Sequence, residues 1–148
     1  MENMEGMETI SWEEKWAIGN KLIDSQHKEL VNLLNKLIYY CAFDQMNSAI
    51  PAALSFLINY TITHFNDEEA LQLRCGFPYY NEHKQMHENL KITVDKLTAK
   101  YAKSGSTMSL KKDLYSVLAA WLINHIEHED KKIGDYIASS NKKNKKKT

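Results

Sequence analysis

The stretch HFNDEEALQLRCGFPYYNEHKQMH, residues 64–87, joins two predicted helices and decides the fold. Gly76 and Pro78 in its middle are typical of a helix end, because glycine permits a left-handed turn and proline cannot continue a helix. Side chains four residues apart lie on one face of a helix. The stretch contains two such pairs of potential metal ligands, His64 with Glu68 and His83 with His87.

The apolar pattern on either side of this stretch predicts an all-α protein. Apolar residues recur every three to four positions, and the chain contains only five glycines and two prolines. Ser48 is expected to cap the second helix, with Pro51 in its first turn. Short links between long helices favour antiparallel neighbours, so the simplest fold is an up-down-up-down antiparallel four-helix bundle. The four predicted helices span about residues 21–41, 48–75, 79–102 and 109–137.

A single domain is predicted for residues 1–140, because a chain of this length can bury one core without disulfides. Residues 1–20 contain Trp12 and Trp16 and are expected to form an ordered N-terminal arm across the bundle. Residues 141–148 contain five lysines and no acid, so we expect a disordered, solvated tail. The alternative for this tail is docking on an acidic partner or a membrane surface.

Charge and composition exclude several classes of function. The first 140 residues carry 14 basic and 19 acidic groups, and such a mildly acidic domain disfavours nucleic acid as a partner. No apolar run reaches the roughly 20 residues of a membrane-spanning helix, and the amino terminus lacks the features of a secretory signal. Two cysteines do not make a disulfide framework, so we expect a cytoplasmic protein. We also expect a monomer.

Five of the six histidines, together with two acids, occur at spacings that a set of metal ligands on helices would have, and only His128 is left over. A lone histidine in an apolar core is more often a hydrogen-bonded structural residue than a ligand. Five buried imidazoles would be costly together unless metal ions satisfied them, and a set without cysteine disfavours structural zinc. Mixed imidazole and carboxylate ligands suit iron. The candidate ligands are His27, His64, Glu68, His83, His87, His125 and Asp130.

Counting ligand atoms predicts a pair of metal ions with one free position. If both acids bridge the ions, together with an oxo or hydroxo group, the set fills eleven of the twelve positions of two octahedral irons. The predicted cofactor is therefore a pair of bridged non-haem iron ions. One open position suits a single small molecule.

The spacing between His125 and Asp130 does not fit a regular helix. Five residues turn about 140° around the helix axis, so Glu129, four residues on, is better placed. A π-helical turn, with hydrogen bonds between residues five apart, would return Asp130 to the metal side. We therefore predict a π-bulge or an equivalent distortion there, and a regular helix with Glu129 facing the metals would refute it.

Several motifs extend over about residues 10–137. They are Trp12, Ile18-Gly19, Ile23-Asp24-Ser25-Gln26-His27-Lys28, His64-Phe65 with Glu68-Glu69, Gly76-Phe77-Pro78, His83 with His87, and Trp121-Leu122-Ile123-Asn124-His125-Ile126 up to Asp130. In these motifs the chain resembles the hemerythrin family, and in particular the single-domain bacteriohemerythrins. All seven ligand positions of the family pattern are filled.

The resemblance implies that one iron is held by three histidines and the other by two. It implies Glu68 and Asp130 as bridges, which selects Asp130 over Glu129. In the family, dioxygen binds at the open position of the two-histidine iron, and deoxygenation reverses the steps. The implied function is reversible dioxygen binding for storage, transport or delivery to oxygen-requiring enzymes. The implied three-histidine set is His83, His87 and His125, and the two-histidine set is His27 and His64.

Apolar residues beside the ligands are candidates for a dry pocket around oxygen, although plain core packing explains them equally well. The alternatives to oxygen binding are an oxygen or redox sensor, and an enzyme such as a di-iron oxidase or a peroxide or nitric oxide reductase. Five neutral imidazoles supply less negative charge than the Glu-rich ligand sets of di-iron carboxylate proteins. This favours binding over oxygen activation, and hence a protein that is not an enzyme. The pocket candidates are Leu30, Phe65, Trp121, Leu122 and Ile126.

Overall fold

Three long helices and a fourth, segmented helical run follow one another along the chain in this computed structural model. The structure describes the backbone of residues 10–42 and 46–146, and the side chains at 37, 38, 40–49, 122 and 142–148 lie outside the description. Helix α1 spans Lys21–Ala42, α2 spans Met46–Cys75 and α3 spans Tyr80–Ser104. The fourth run consists of α4 (Met108–Ser116), two π-helical segments (Val117–Ile123 and His125–Asp130) and α5 (Lys131–Lys146).

The helices close into a bundle. Consecutive helices pack against each other, and α1 also contacts the π-helical segment Val117–Ile123 of the fourth run. Because the links are short, each helix runs antiparallel to its neighbour. The predicted all-α four-helix bundle is confirmed. In the part of the chain that the structure describes, no helix is long and apolar enough to cross a membrane.

Local sequence signals fix two of the turns. Gly76 follows α2 with φ at +70°, and the amide of Phe77 donates to the Gln72 carbonyl at 2.9 Å. Thr107 caps α4, since its side chain accepts a hydrogen bond from the Leu110 amide at 3.1 Å. These interactions satisfy backbone groups that the helix ends would otherwise leave unpaired.

The start of α2 differs from the sequence prediction. The helix begins at Met46 rather than near Ser48, so Pro51 lies inside the helix instead of in its first turn. Ile50 and Leu54 on either side of the proline are buried in the larger apolar cluster, and this packing holds the turn that proline disfavours. The predicted capping side chain, that of Ser48, lies outside the description.

The carboxyl-terminal tail is also corrected. α5 continues through Lys146, so the backbone of residues 141–146 is helical where disorder was predicted. Lysine is a good helix former, and positive side chains interact favourably with the carboxyl end of a helix dipole. Residues 147–148 are not among the described ones.

Two apolar clusters hold the bundle together. The larger one extends over most of its length and includes Leu34 and Leu118. Along α1 the chain passes from Ile23 in the smaller cluster, through His27, to Leu30 in the larger one. The predicted ligands therefore lie in a polar layer between the two clusters. The smaller cluster, here called the floor cluster, contains Ile18, Ile23, Leu71, Phe77 and Ile133.

Residues 10–20 form an arm along the bundle. Ile10 exchanges two backbone-to-side-chain hydrogen bonds with Asn35 of α1, at 2.8 and 2.7 Å. At the other end of the arm, the Lys131 side chain donates to the Ala17 carbonyl at 3.2 Å. Trp16 is buried in the larger cluster. The described part of the arm is thus tied to both α1 and α5, and residues 1–9 lie outside the description.

Candidate metal centre

The structure brings all seven predicted ligands together in the polar layer of the bundle. They form two overlapping groups, and within each group the ligand atoms lie within 4.8 Å of one another. Both groups share Glu68 and Asp130, and every member is buried, with at most 6% of its surface exposed. The three-histidine group also contains His83, His87 and His125, and the two-histidine group contains His27 and His64.

The carboxylate of Glu68 divides its two oxygens between the groups. Oε1 lies 2.8 Å from Nε2 of His83 and 3.2 Å from Nε2 of His87. Oε2 lies 3.2 Å from Nε2 of His64 and 3.4 Å from Nε2 of His27. One oxygen therefore faces each group, which is the arrangement that a bridging carboxylate requires.

Asp130 repeats this division from another helix. Its Oδ1 lies 3.0 Å from Nε2 of His83 and 3.0 Å from Nε2 of His125. Its Oδ2 lies 3.0 Å from Nε2 of His27. Two carboxylates from different helices thus face the same pair of histidine groups.

A π-helical turn places Asp130 in the centre. Residues His125–Asp130 are π-helical, and in such a turn side chains five residues apart share a face. Glu129 instead pairs with Lys132, with 3.2 Å between a carboxylate oxygen and the ammonium nitrogen. The predicted π-bulge is confirmed, and Asp130 rather than Glu129 reaches the histidines.

Several ligand atoms lack hydrogen bonds despite their burial. Nε2 of His87, Oε2 of Glu68 and Oδ1 of Asp130 lie close to other ligand atoms but form no oriented hydrogen bond with a described residue. Buried polar atoms without partners are costly, and metal ions would satisfy them directly. Imidazole nitrogens and carboxylates without a thiolate form a donor set that fits iron.

A family model matches most of the chain. It is the model of the hemerythrin HHE cation binding domain, and the match covers residues 18–137. The chain belongs to the hemerythrin family. The resemblance inferred from the motifs is thereby confirmed.

Bacteriohemerythrins from several bacteria are similar to this hemerythrin-family chain over most of their lengths. One from Stenotrophomonas maltophilia is 26% identical over 131 residues, which are 88% of this chain and 83% of that protein. One from Pseudomonas aeruginosa is 29% identical over 124 residues, 84% of this chain and 78% of that protein. One from Campylobacter jejuni is 30% identical over 127 residues, 86% of this chain and 94% of that protein.

Burial and charge shift the pKa values of the predicted ligands in this hemerythrin domain. Burial alone would lower the pKa of His27, but its close contacts with the carboxylates of Asp130 and Glu68 outweigh burial and raise the pKa to about 9. At His83 the same two carboxylates outweigh burial and raise the pKa to about 10. At His64 burial dominates and lowers the pKa. Burial would raise the pKa of Glu68, but close contacts of its carboxylate with four histidine rings hold the pKa well below its ordinary value. Metal ions would therefore have to displace protons to bind.

Hydrogen bonds outside the ligand set orient two of the histidines. Nδ1–H of His64 donates to the side-chain oxygen of Gln26 at 2.5 Å, and the Gln26 amide donates to Asp67 at 2.9 Å. Nδ1–H of His87 donates to Glu69 at 2.9 Å. With Nδ1 acting as a donor, Nε2 of each ring is left to bind a metal. Sequence analysis missed these partners; the only signal was that Gln26 and Glu69 each adjoin a ligand in the sequence.

Aromatic rings stack on three of the ligand histidines. Such stacking fixes the plane of an imidazole as well as burying its face. Tyr60, which sequence analysis did not single out, is one of the three rings. The stacked pairs are Phe65 on His87 with 3.8 Å between ring centroids, Trp121 on His125 with 4.6 Å, and Tyr60 on His64 with 4.7 Å.

The predicted oxygen-pocket residues differ in how deeply they are buried. Leu30, Phe65 and Ile126 are fully buried in the larger cluster. Trp121 is half-buried, and its stacking partner His125 belongs to the three-histidine group. The side chain of Leu122 lies outside the description. The pocket assignment therefore stays a prediction.

Proposed function

We propose that this chain binds dioxygen reversibly at a pair of non-haem iron ions and is not an enzyme. The observation that carries the proposal is that both carboxylates divide their oxygens between a three-histidine and a two-histidine group. Glu68 and Asp130 would bridge the two ions, together with an oxo or hydroxo group.

The unequal number of histidines supports an open position at one ion only. Three imidazoles, two carboxylate oxygens and the bridging oxygen would complete six-coordination at the three-histidine group. Two imidazoles with the same bridges leave one position free at the two-histidine group, where a small molecule would bind. When bound, the ferrous pair would supply one electron from each ion to dioxygen.

Residues around the metal ligands would orient the ligand side chains and exclude water. Gln26 and Glu69 orient His64 and His87 through their Nδ1–H groups. Buried apolar side chains, Leu30 among them, surround the polar layer and would keep water from the bound gas. Five neutral imidazoles donate little negative charge, so the set favours binding of oxygen over its cleavage.

The proposal extends to how the protein works in the cell. Residues 1–140 would form one functional domain, acting as a monomer in the cytoplasm to store, transport or deliver oxygen. Cys75 is a free thiol, which suits a reducing compartment. Oxygen or redox sensing through a partner is the alternative use of the same site.

Anaerobic reconstitution with ferrous iron tests the proposal. The protein would be loaded without oxygen, exposed to air and then to vacuum, while the visible spectrum and the iron content are recorded. We expect two irons per chain and an absorption band that forms in air and disappears under vacuum over several cycles. Irreversible oxidation with release of hydrogen peroxide would instead support an enzyme.

A pair of histidine variants provides the control. His64→Ala removes one ligand of the two-histidine group and should abolish the reversible band. His128→Ala removes the sixth histidine, which is exposed and outside both groups, and should leave the band unchanged. Equal behaviour of the two variants would contradict the ligand assignment.

A further inference from the structure

A fully buried glutamine next to the metal centre has no visible partner. Gln72 of α2 is 0% exposed, and neither its side-chain nitrogen nor its side-chain oxygen makes a hydrogen bond with any residue in the described ranges. An amide can donate two hydrogen bonds and accept two. Because buried polar groups in folded proteins are almost always paired, this side chain calls for a partner in the working protein.

Helix geometry directs Gln72 toward one of the bridging carboxylates. It lies four residues after Glu68 on α2, so the two side chains occupy the same helix face, about 5–6 Å apart at Cβ. Side chains of a helix lean toward its amino terminus, which carries the longer Gln72 side chain over the turn that bears Glu68. Glu68 is itself fully buried, and its Oε2 has no hydrogen bond.

Apolar residues of the floor cluster flank the metal-centre layer on α1 and on the fourth helical run. On α1, Ile23 precedes His27 by one turn, and after the π-helical segment Ile133 follows Asp130 by three residues. Both isoleucines belong to the floor cluster, at the level of the bundle where Gln72 follows Glu68. On the same face of α2, the Glu68 carboxylate is an acceptor one helical turn from the Gln72 amide.

Metal binding would create the demand for such a donor. In the structure the oxygens of Glu68 lie against Nε2 atoms of four histidines, which can donate hydrogen bonds as long as they carry protons. Once Nε2 of each ring binds a metal ion, none of them can donate to the carboxylate. The lone pairs of Glu68 that do not bind metal would then lack a donor.

We propose that Gln72 is a positioning residue for Glu68: in the metal-loaded protein its side-chain N–H donates to the Glu68 carboxylate and holds it in the bridging orientation. The inference rests on the proposed metal-binding function and adds to it a residue outside the seven ligands. The buried amide would therefore lower the stability of the metal-free protein and strengthen metal binding in the loaded protein.

The variant Gln72→Met separates this role from simple packing. Methionine has a similar length and volume, favours helices and lacks the amide. Removing an unpaired amide should raise the melting temperature of the metal-free protein by about 2–4 °C. Losing the hydrogen bond to a bridging ligand should weaken metal binding about 10-fold or more. A residue that only fills space would not shift these two quantities in opposite directions.

Anaerobic titration with Co²⁺ measures the affinity through the visible bands of the bound ion, and thermal unfolding of the metal-free protein gives the stability. Gln85→Met is the matched control, since Gln85 lies exposed on α3 and bonds only to Asn89 at 3.0 Å in the described chain. We expect it to change neither quantity. Gln72→Leu repeats the test in case methionine disturbs the packing.

The outcomes distinguish this inference from the proposed function. Two Co²⁺ ions bound by the unaltered chain, with the same affinity for both Gln72 variants, would overturn the role of Gln72 alone. A lower melting temperature of both metal-free variants would also overturn it, because it would show that the amide is already paired. Failure of the unaltered chain to bind Co²⁺ would overturn the proposed function and this inference with it.

Discussion

Loading the metal centre at neutral pH should release protons, because the pKa values of His27 and His83 in the metal-free protein lie well above 7. The pKa of His27 is raised to about 9 and that of His83 to about 10, above the ordinary 6.5, whereas the pKa of His64 is lowered. A metal ion binds the neutral ring, so each protonated ring must lose its proton first. We expect at least two protons per chain to be released at pH 7 when both ions bind, because the pKa of His87 is raised as well and a hydroxo bridge formed from water would release a further proton.

Protonation of His27 and His83 should make the stability of the metal-free protein fall as the pH rises, whereas the apparent metal affinity should increase. Since the folded-state pKa lies above the unfolded value, protonation stabilises the metal-free fold fully below about pH 6.5. This stabilisation is lost as the pH rises through about 9 for His27 and about 10 for His83. For His27 alone, protonation stabilises the metal-free fold by on the order of 3 kcal/mol. The apparent metal affinity should rise over the same interval.

Calorimetry measures the number of protons directly. Ferrous iron is titrated anaerobically into the metal-free protein at pH 7, in two buffers that differ in their enthalpy of ionisation. His128→Ala serves as the control, because this exposed histidine lies outside both ligand groups. Release of less than one proton per chain, or a metal-free stability that rises between pH 7 and 10, would refute the reasoning.

Three further predictions concern stability and metal binding. A Cβ at Gly134 would lie 2.8 Å from Cα of Ile18, so Gly134→Ala should lower the free energy of unfolding by about 1–3 kcal/mol in urea denaturation; an unchanged value would mean that the arm moves aside. Glu69→Ala removes the hydrogen bond to a ligand histidine and should weaken metal binding at least about 10-fold in competition with a chelator, whereas Glu129→Ala should not. Tyr60→Phe removes a buried hydroxyl without a hydrogen bond among the described residues and should raise the free energy of unfolding by about 1 kcal/mol; a loss of stability would reveal a hidden partner.

The bundle could be predicted from the sequence because its signals are local. The apolar repeat and the stop at Gly76 and Pro78 each act within a few residues. The start of α2 was harder to place, because Ser48 and Pro51 together imitate a helix start. The burial of Ile50 and Leu54 against other helices overrides that signal. Sequence propensity does not report such contacts.

The clustering of the seven candidate ligands could be predicted because metal binding would impose a spacing on each helix. His125 and Asp130 were informative for the opposite reason: their spacing contradicts a regular helix, and only a π-helical turn reconciles it. The other π-helical segment, Val117–Ile123, contains no pair of candidate ligands, so no spacing in the sequence predicted it. The roles of Gln26 and Glu69 were not predicted, because their hydrogen bonds join side chains on different helices. Such a pairing produces no periodic pattern in the sequence.

The π-helical turn at His125–Asp130 also bears on how related chains should be searched and aligned. A π turn holds about one residue more than an α turn, so the interval between two ligands records the type of helix rather than the geometry of the metal. A relative with one residue fewer between these ligands could present the same side chains from an ordinary α-helix. Search patterns that fix this interval at five would miss such chains, and an alignment gap of one residue there would mark a change of helix type and not the loss of a ligand.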